Sequence, residues 1–208
     1  VAENVAGLMM GTAKDYVKRI YTAFKDAGYQ LKVEPYLLDA SSMGVPQRRK
    51  RVFFIALRND LAPKFMEQVD MFQSAPKLDL QFNEKPVLFK ELKEHNVKRK
   101  TLPNSYLKHF KAADHNGRSD ATNTKNTFGF FYKHMNNLIS CTIVSGSTYS
   151  IEELPLLLTD TELSRIGSYP LDYNHLSNKA QYLIGMSVPP VMTAQIALRI
   201  YDQWISKL

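Results

Sequence analysis

The sequence contains a single cysteine, Cys141, and this scarcity excludes two kinds of structure. One cysteine can form neither an intramolecular disulfide framework nor a multi-cysteine zinc site. The five histidines include no pair at metal-ligand spacing, so we expect no metal. Long apolar runs are also missing: none approaches the ~18 residues of a membrane span, and the first residues lack the pattern of a signal peptide. We therefore expect a cytoplasmic protein without a membrane partner.

Acidic residues are fewer than basic ones, 20 against 27, which leaves a net charge of +7. This sign favours nucleic acid or another anionic surface as partner, although a merely basic soluble protein has the same balance. Much of the excess lies between residues 90 and 133, where ten basic residues stand against four acidic ones. Aromatic residues interleaved with these charges form either a small core or a base-contacting face: Tyr106, Phe110, Phe128, Phe130, Phe131 and Tyr132.

The apolar pattern of the first 58 residues predicts an α/β fold. Residues 11–27 carry apolar side chains at helical spacing, and Gly28 is placed to end that helix. Residues 52–57 are apolar on both faces, which predicts a strand in the centre of a sheet, and residues 1–4 predict the end of another buried strand. A helix between such strands is typical of an α/β sheet.

Regular structure is predicted again in three places further on. Residues 87–94 suit a short helix. Thr159 followed by Glu162 forms a capping box, which marks the start of a helix. Residues 191–205 form an amphipathic helix, for which Pro189 and Pro190 suit the first turn. Residues 59–85 and 98–126 show little periodicity, so no helix or strand is predicted in them.

Three polar segments have residue types suited to chemistry, each with a plainer alternative. Glu3 stands at the end of a predicted strand, where open α/β sheets bind ligands, or it is a solvated loop acid. In the run 47–51, alternation along an extended chain places Gln47, Arg49 and Arg51 on one face. These arginines can donate to a carbonyl or phosphate, or the run is a basic loop or localisation signal. Residues 185–190 form a turn that holds a polar ligand or a simple loop-to-helix junction.

Five short elements occur in a fixed order along the chain. They are Glu-Asn-Val at 3–5, Gly-Val-Pro-Gln-x-Arg-x-Arg at 44–51, Thr-Ile at 142–143, Leu-Thr-x-x-Glu-x-x-Arg-x-x-x-Tyr-Pro at 158–170, and Gly-x-Ser-Val-Pro-Pro at 185–190. In this order they resemble the C-terminal portion of the DNA cytosine-5 methyltransferase family. The resemblance covers about residues 1–58 and 140–208, and it leaves the middle as the family's variable recognition region.

The resemblance implies a reaction and gives three residues catalytic roles in it. A methyl group passes from S-adenosyl-L-methionine to carbon 5 of a cytosine that has been flipped out of duplex DNA. Glu3 is implied to hydrogen-bond ring nitrogen 3, and Arg51 to donate to the carbonyl oxygen of the base. Arg49, with Gln47, is implied to support this pocket or to contact the DNA backbone beside it.

Four further assignments follow from the resemblance. Ser187 and Val188 match positions that line the cofactor pocket, while Met186 replaces an asparagine that many members have there. Gln47 and Thr142 match DNA-binding positions, although Thr142 also suits an ordinary strand. Cys141 lies far from the family's Pro-Cys nucleophile, and we interpret it as a small packing residue.

The implied organisation is the C-terminal part of a Rossmann-like sheet plus a small mixed recognition domain. Residues 1–79 are assigned to the catalytic domain, 80–163 to target recognition in double-stranded DNA, 164–184 to a hinge, and 185–208 to a closing helix. The segment 158–170 is implied to tie the recognition region to the catalytic domain.

The family's glycine-rich cofactor turn and Pro-Cys nucleophile occur nowhere in the sequence. We therefore expect the chain, which begins with Val1, to be inactive without a missing N-terminal segment or a complementary subunit. A restriction–modification enzyme of bacterial or phage type is the leading interpretation. The alternatives are a subunit of a split enzyme, a non-catalytic DNA-binding module, and a relative acting on tRNA.

Overall fold

The computed structural model describes residues 1–32, 34–115, 131–176 and 179–208. The chain forms two compact units, and each is described by itself. Unit 1 comprises residues 1–39, 50–82 and 194–208, and unit 2 comprises residues 40–49 and 83–193. Five of the charged or aromatic residues counted or named between residues 90 and 133 lie outside the described ranges: Arg118, Asp120, Lys125, Phe128 and Phe130.

Unit 1 is built from short strands, one long helix and part of a second. Its strands are β1 (Ala2–Val5), β2 (Tyr29–Leu31), β3 (Tyr36–Asp39), β4 (Lys50–Phe54), β5 (Ala56–Arg58), β6 (Met66–Gln68) and β7 (Ser74–Pro76). Its complete helix is α1 (Lys14–Asp26). The mixture of helices and strands confirms the predicted α/β class.

The main sheet of unit 1 has the order β1-β4-β3, with both pairs antiparallel. Val52, Phe53 and Phe54 of β4 are buried, which confirms a central strand, although the predicted range 52–57 is divided between β4 and β5. The prediction that residues 1–4 end a buried strand was wrong in one respect. A strand forms there, but Glu3, Asn4 and Val5 are exposed, because they are not covered by other described residues, unlike Tyr36 and Leu38 of β3 at the other edge of this sheet.

Helix α1 confirms the periodicity of residues 11–27, although the α-helix begins at Lys14 after two short 3₁₀ turns. Gly28 ends it as predicted: φ is +82°, which favours glycine, and its N–H donates to the carbonyl of Lys25 at 3.0 Å. The chain then enters β2, which pairs with β5.

The last helix, α6 (Pro190–Gln203), contributes its residues from Ala194 onward to unit 1. Ile196 and Trp204 are buried, as their four-residue spacing from Ile200 predicts. The indole N–H of Trp204 donates to the carbonyl of Lys77 at 2.7 Å, so this large ring is buried without losing its hydrogen bond.

Unit 2 combines helices α2 (Phe89–Leu92), α3 (Leu107–Ala112), α4 (Asp160–Ile166) and α5 (Ala180–Met186) with strands β8 (Phe131–His134) and β9 (Thr148–Ile151). Helices α2 and α4 were predicted, whereas α3 and α5 were missed because six or seven residues show too little periodicity. Strands β8 and β9 pair in parallel. One apolar cluster holds the unit together: Phe89, Leu92, Ile143, Tyr149, Ile151, Leu163, Ile166, Ala180 and Ile184.

The predicted capping box is present at the start of α4, and its acid has a second partner. Thr159 accepts from the N–H of Glu162, while the Glu162 carboxylate accepts from the N–H of Thr159. The same carboxylate is fully buried and pairs in a bidentate manner with Arg99. Burial alone raises the pKa of Glu162, but the Arg99 guanidinium and two main-chain N–H groups lower it overall. The pair therefore fixes α4 to the segment around Arg99.

The stretch Ala180–Lys207 is long and apolar enough by composition to be a membrane span. It is nevertheless two helices, α5 and α6, separated at Ser187, whose backbone is extended with φ −100° and ψ 168°. Neither helix alone has the ~20 residues that a span requires. The absence of a membrane partner stays a prediction.

His134 of β8 is a buried titratable group in the core of unit 2. Its ring lies 5.1 Å from the ring of Phe89 and 5.5 Å from that of Tyr149, centroid to centroid. Burial lowers the pKa of His134 to about 4, and the opposing charge of Glu162 does not restore it. His134 is therefore neutral in the folded protein at neutral pH.

Acidification should destabilise the protein through His134 well before the carboxylates titrate. The unfolded chain takes up this proton near pH ~6.5, while the folded chain resists it until about pH 4. Stability conferred by the neutral ring is therefore complete above pH ~6.5 and falls by up to ~3 kcal/mol as the pH drops to ~4. Urea unfolding across this pH range should show the loss, and His134→Phe should flatten it. The matched substitution His95→Phe, at an exposed histidine, should leave it unchanged. An equal slope in both variants would contradict the assignment.

Candidate functional site

In unit 1, Glu3 of β1 and Arg51 of β4 lie on one face of the sheet. The register pairs Glu3 with Phe53 and Val5 with Arg51, so the two side chains are diagonal neighbours within reach of each other. Oε1 of Glu3 lies 2.9 Å from Nε of Arg51, and the side chains are 30% and 15% exposed. The structure thus brings together the two residues predicted to contact a flipped base.

Arg51 has a hydrogen-bond donor that the Glu3–Arg51 pair does not use. Nη1 of Arg51 donates to the carbonyl of Lys50 at 2.9 Å, while Nη2 forms no hydrogen bond within the described part of the chain. Burial lowers the pKa of the Arg51 guanidinium, and the charge of Glu3 opposes that shift. An arginine stays protonated at neutral pH even so. The arrangement can therefore present a positive donor and a carboxylate to one polar ligand.

The run 47–51 alternates between buried and exposed positions, as its extended pattern predicts. Gln47 and Arg49 are buried, whereas Arg48 and Lys50 are exposed. Gln47 and Arg49 belong to unit 2, and Arg51 belongs to unit 1. The same one-residue alternation therefore separates internal from accessible side chains.

Both ends of the Gln47 amide bond within unit 2. Its Nε2 donates to the carbonyl of Ile166 at 3.1 Å, and its Oε1 accepts from the N–H of Ile143 at 3.2 Å. The side chain is 0% exposed, so DNA cannot reach it in this conformation. Of the two roles implied for Gln47, this geometry favours support of the pocket over direct contact with DNA.

Arg49 is 1% exposed and its guanidinium fork is directed at main-chain carbonyls. Nη1 donates to Ile143 at 2.8 Å, and Nη2 donates to Gly185 at 2.8 Å and to Ser187 at 2.7 Å. Two of these carbonyls lie at or just beyond the C-terminal end of α5, where a helix favours a cation. We predicted Arg49 among the catalytic residues; this geometry favours the supporting role.

Thr142 lies beside an exposed arginine. Its hydroxyl donates to the carbonyl of Arg48, and the N–H of Arg48 donates to the carbonyl of Ser140 at 2.9 Å. Thr142 is partly exposed and Arg48 is exposed. The predicted DNA-contacting position is therefore accessible, and it lies one hydrogen bond from an exposed arginine, a residue type that binds phosphate. Arg48 itself was not predicted; its exposed place in the alternating run is the signal that identifies it.

Residues Gly185 to Val188 connect α5 to α6. Ser187 donates its hydroxyl to the carbonyl of Ile184 at 3.1 Å, and Ser187 and Val188 are both partly exposed. Met186 is 68% exposed. A Cβ on Gly185 would lie 2.5 Å from the nitrogen of Ser145, so only glycine allows the two main-chain segments to approach this closely. The sequence motif did not reveal this contact, because Ser145 is 40 positions away.

Cys141 packs against the apolar cluster of unit 2, and its Sγ lies 3.6 Å from Nε2 of His134. This position agrees with the predicted packing role. Within the described ranges, no three His, Cys, Asp or Glu side chains gather closely enough to hold a metal.

The family model for C-5 cytosine-specific DNA methylase matches residues 1–202. The chain therefore belongs to the C-5 cytosine-specific DNA methylase family, as the order of its motifs predicted.

Curated relatives are type II methyltransferases. The chain is 26% identical over 224 residues to M.NgoFVII of Neisseria gonorrhoeae, a match that covers 96% of this chain and 57% of the relative. It is 46% identical over 65 residues to M.MthTI of Methanothermobacter thermautotrophicus, a match that covers 31% of this chain and 19% of the relative. The chain thus spans little more than half of M.NgoFVII.

Solved structures of methyltransferases share the fold. A DNMT2 mutant of Spodoptera frugiperda matches with a TM-score of 0.63 and 19% identity, covering 96% of this chain and 65% of that one. The methyltransferase EhMeth of Entamoeba histolytica matches with a TM-score of 0.60 and 17% identity, covering 96% and 61%. The α/β chain is therefore consistent with part of a Rossmann-like methyltransferase fold.

The close approach at Gly185 gives a direct test of the local packing. Gly185→Ala should destabilise the protein by ~1–3 kcal/mol, because a new methyl group must displace the Val144–Ser145 main chain. Helix propensity acts in the opposite direction by ~1 kcal/mol, so a net loss identifies the clash. Urea unfolding measures the difference. Gly146→Ala is the matched control, since nothing lies within 4 Å of its Cβ. Equal stability of the two variants would show that the approach is looser than described.

Proposed function

We propose that this chain forms the base-contacting and DNA-recognising part of an enzyme that methylates carbon 5 of cytosine in duplex DNA. The observation that carries the proposal is the Glu3–Arg51 pair, in which a carboxylate and a guanidinium share one partly accessible face of unit 1. A flipped cytosine presents a ring nitrogen next to a carbonyl oxygen. An acid and a cation side by side match those two acceptors.

Within this proposal the two residues have different roles. The second carboxylate oxygen of Glu3 shares with ring nitrogen 3 one proton that is taken from solvent as the base binds. This draws electron density from the ring and favours attack at carbon 6. Arg51 uses its available Nη2 to donate to the carbonyl oxygen, where negative charge develops. Their ion pair fixes the geometry before a base arrives, so little reorganisation is needed on binding.

We propose that Ser187 and Val188 hold part of S-adenosyl-L-methionine, which supplies the methyl group when bound. A hydroxyl and an apolar side chain, both partly exposed, stand next to each other in this turn. This combination fits a ligand that has polar sugar and base edges beside apolar surface. Arg49 holds the turn from behind through the carbonyls of Gly185 and Ser187.

We also propose that residues 1–208 do not transfer methyl groups on their own. The sequence contains neither a Phe-x-Gly-x-Gly turn nor a Pro-Cys segment, and the partly buried Cys141 packs against the apolar cluster of unit 2. The match to M.NgoFVII leaves 43% of that relative without a counterpart, since it covers 57%. The nucleophile and the other wall of the cofactor pocket are then supplied by a further N-terminal segment or by a complementary subunit.

Unit 2 contributes the recognition surface in this proposal. Lys108 and Lys111 are exposed on α3, and Arg48 and Thr142 are accessible beside each other. Lysines position DNA through phosphates, while base edges in the major groove give the sequence preference. The assignment of residues 80–163 to target recognition remains part of the proposal.

Arg51→Ala tests the proposed catalysis in the methyltransferase that contains this chain. We expect kcat/KM to fall by ~10²–10³, because one donor to the developing charge is removed. Affinity for a mixed-sequence duplex should change little, since Arg51 is only 15% exposed. Methyl incorporation from labelled S-adenosyl-L-methionine into unmethylated genomic DNA measures the rate. Arg58→Ala removes an exposed, paired arginine of the same unit and should leave the rate unchanged. Wild-type turnover in the Arg51 variant would eliminate its assigned role.

The recognition surface has an electrostatic signature that can be measured. Replacing both Lys108 and Lys111 with alanine should weaken binding to a mixed-sequence duplex and reduce the salt slope by ~0.9 for each phosphate that is no longer neutralised. The slope is measured by fluorescence anisotropy of a labelled duplex at salt concentrations from roughly 50 to 300 mM. The control is Lys18→Ala with Lys25→Ala on α1 of unit 1, which should retain the wild-type slope. The same slope in both double variants would remove α3 from the DNA interface.

A further inference from the structure

Both main-chain polar groups of Ile143 form hydrogen bonds with buried side chains. Its N–H donates to Oε1 of Gln47 at 3.2 Å, and its carbonyl accepts from Nη1 of Arg49 at 2.8 Å. Ile143 is 0% exposed, so no water competes for either group. The position of the residue that follows Thr142 is therefore set by two side chains from the run 47–51.

The same two side chains also reach the ends of two helices. Nε2 of Gln47 binds the carbonyl of Ile166, the last residue of α4. Nη2 of Arg49 binds the carbonyls of Gly185 and Ser187, at the end of α5. Together Gln47 and Arg49, which we call the clamp, join three segments of unit 2: residues 142–143, the end of α4, and the turn 185–188.

The clamp leaves little freedom for one of these segments to move alone. Arg49 carries a charge at 1% exposure, and removing any of its three carbonyl partners would leave a buried cation less well satisfied. A guanidinium is a rigid fork, so its two Nη atoms keep a fixed separation. A movement of Gly185 or Ser187 would therefore also move Ile143, and a movement of Ile143 would move Gly185 and Ser187.

Two further contacts support the same connection. Gly185 packs so closely on Val144 and Ser145 that a Cβ would lie 2.5 Å from the Ser145 nitrogen. Tyr149 accepts from the N–H of Val144 at 2.7 Å and donates to the carbonyl of Thr142 at 3.2 Å. Burial raises the pKa of Tyr149, so its hydroxyl keeps the proton that it donates. The segment 142–145 is thus in contact with Gly185 and is hydrogen-bonded to Tyr149.

We propose that the clamp of Gln47 and Arg49 makes cofactor binding at residues 185–188 and DNA binding at Thr142 mutually dependent. This inference rests on the proposed function, which places the cofactor and the DNA backbone at those two segments. Gln47 and Arg49 are positioning residues in this proposal. Their side chains bind main-chain groups of the protein, and neither side chain is proposed to contact the cofactor or the DNA. Coupling of this kind is reciprocal: each ligand must change the affinity of the other by the same factor.

The test is a thermodynamic cycle on the methyltransferase that contains this chain. The dissociation constant of S-adenosyl-homocysteine, which cannot react, is measured by calorimetry with and without saturating sheared unmethylated DNA. For the wild type we expect the two values to differ by a factor of ~5–150, the usual range for coupled sites. In Arg49→Lys the factor should fall to within about twofold of one, because an ammonium cannot hold all three carbonyls in the fork geometry.

A second variant and a control keep the test decisive. Gln47→Met removes the amide at similar volume and should also reduce the factor, even if the arginine variant folds poorly. Lys50→Met alters an exposed neighbour on the opposite face and should retain the wild-type factor. A purely structural role would lower the melting temperature of the clamp variants and leave the factor unchanged, which would overturn the inference. A wild-type factor of one would also overturn it while leaving the proposed function intact. Failure of the wild type to bind either ligand would instead overturn the proposed function.

Discussion

The buried charge of Arg49 is the constraint on which the arrangement of unit 2 depends. A guanidinium at 1% exposure has no water to solvate it, so the protein must supply acceptors in the fork geometry. It does so with main-chain carbonyls of Ile143, Gly185 and Ser187. Acceptors from positions so far apart in sequence can only be collected if the intervening helices and strands are packed correctly. The guanidinium of Arg49 can therefore be hydrogen-bonded only when unit 2 is correctly folded.

A single extended run, residues 47–51, provides both the internal supports and the exposed groups. Because side chains alternate along a strand, Gln47 and Arg49 point inward while Arg48 and Lys50 face solvent. A shift by one residue would bury Arg48 and Lys50 and expose the clamp. Directly after the run, the buried Val52, Phe53 and Phe54 anchor β4 between β1 and β3 in unit 1.

The features that could be predicted from the sequence are those that depend on residues close together in the chain. The apolar run of β4, the cap at Gly28 and the box of Thr159 with Glu162 depend on neighbours, and all three are present. The exposure of β1 depends on which distant residues pack over it, which no local pattern gives. The partner of Glu162 is Arg99, 63 positions away, and the acceptors of Arg49 are main-chain atoms without a residue signature. The motifs gave the family; the roles of Gln47 and Arg49 within it depend on distant contacts.

The Glu3–Arg51 pair raises the question of why two opposite charges that already bind each other should be available to a base. Their contact uses one oxygen of the carboxylate and the Nε atom of the guanidinium. A carboxylate has a second oxygen and a guanidinium has five donors, so pairing leaves part of each group for a ligand. At 30% and 15% exposure the pair is screened by water, and its attraction is weaker than that of the Arg99–Glu162 pair at 5% and 0%. A weak, half-buried pair orients both groups without holding them too tightly to exchange partners, whereas the fully buried pair is suited only to structure.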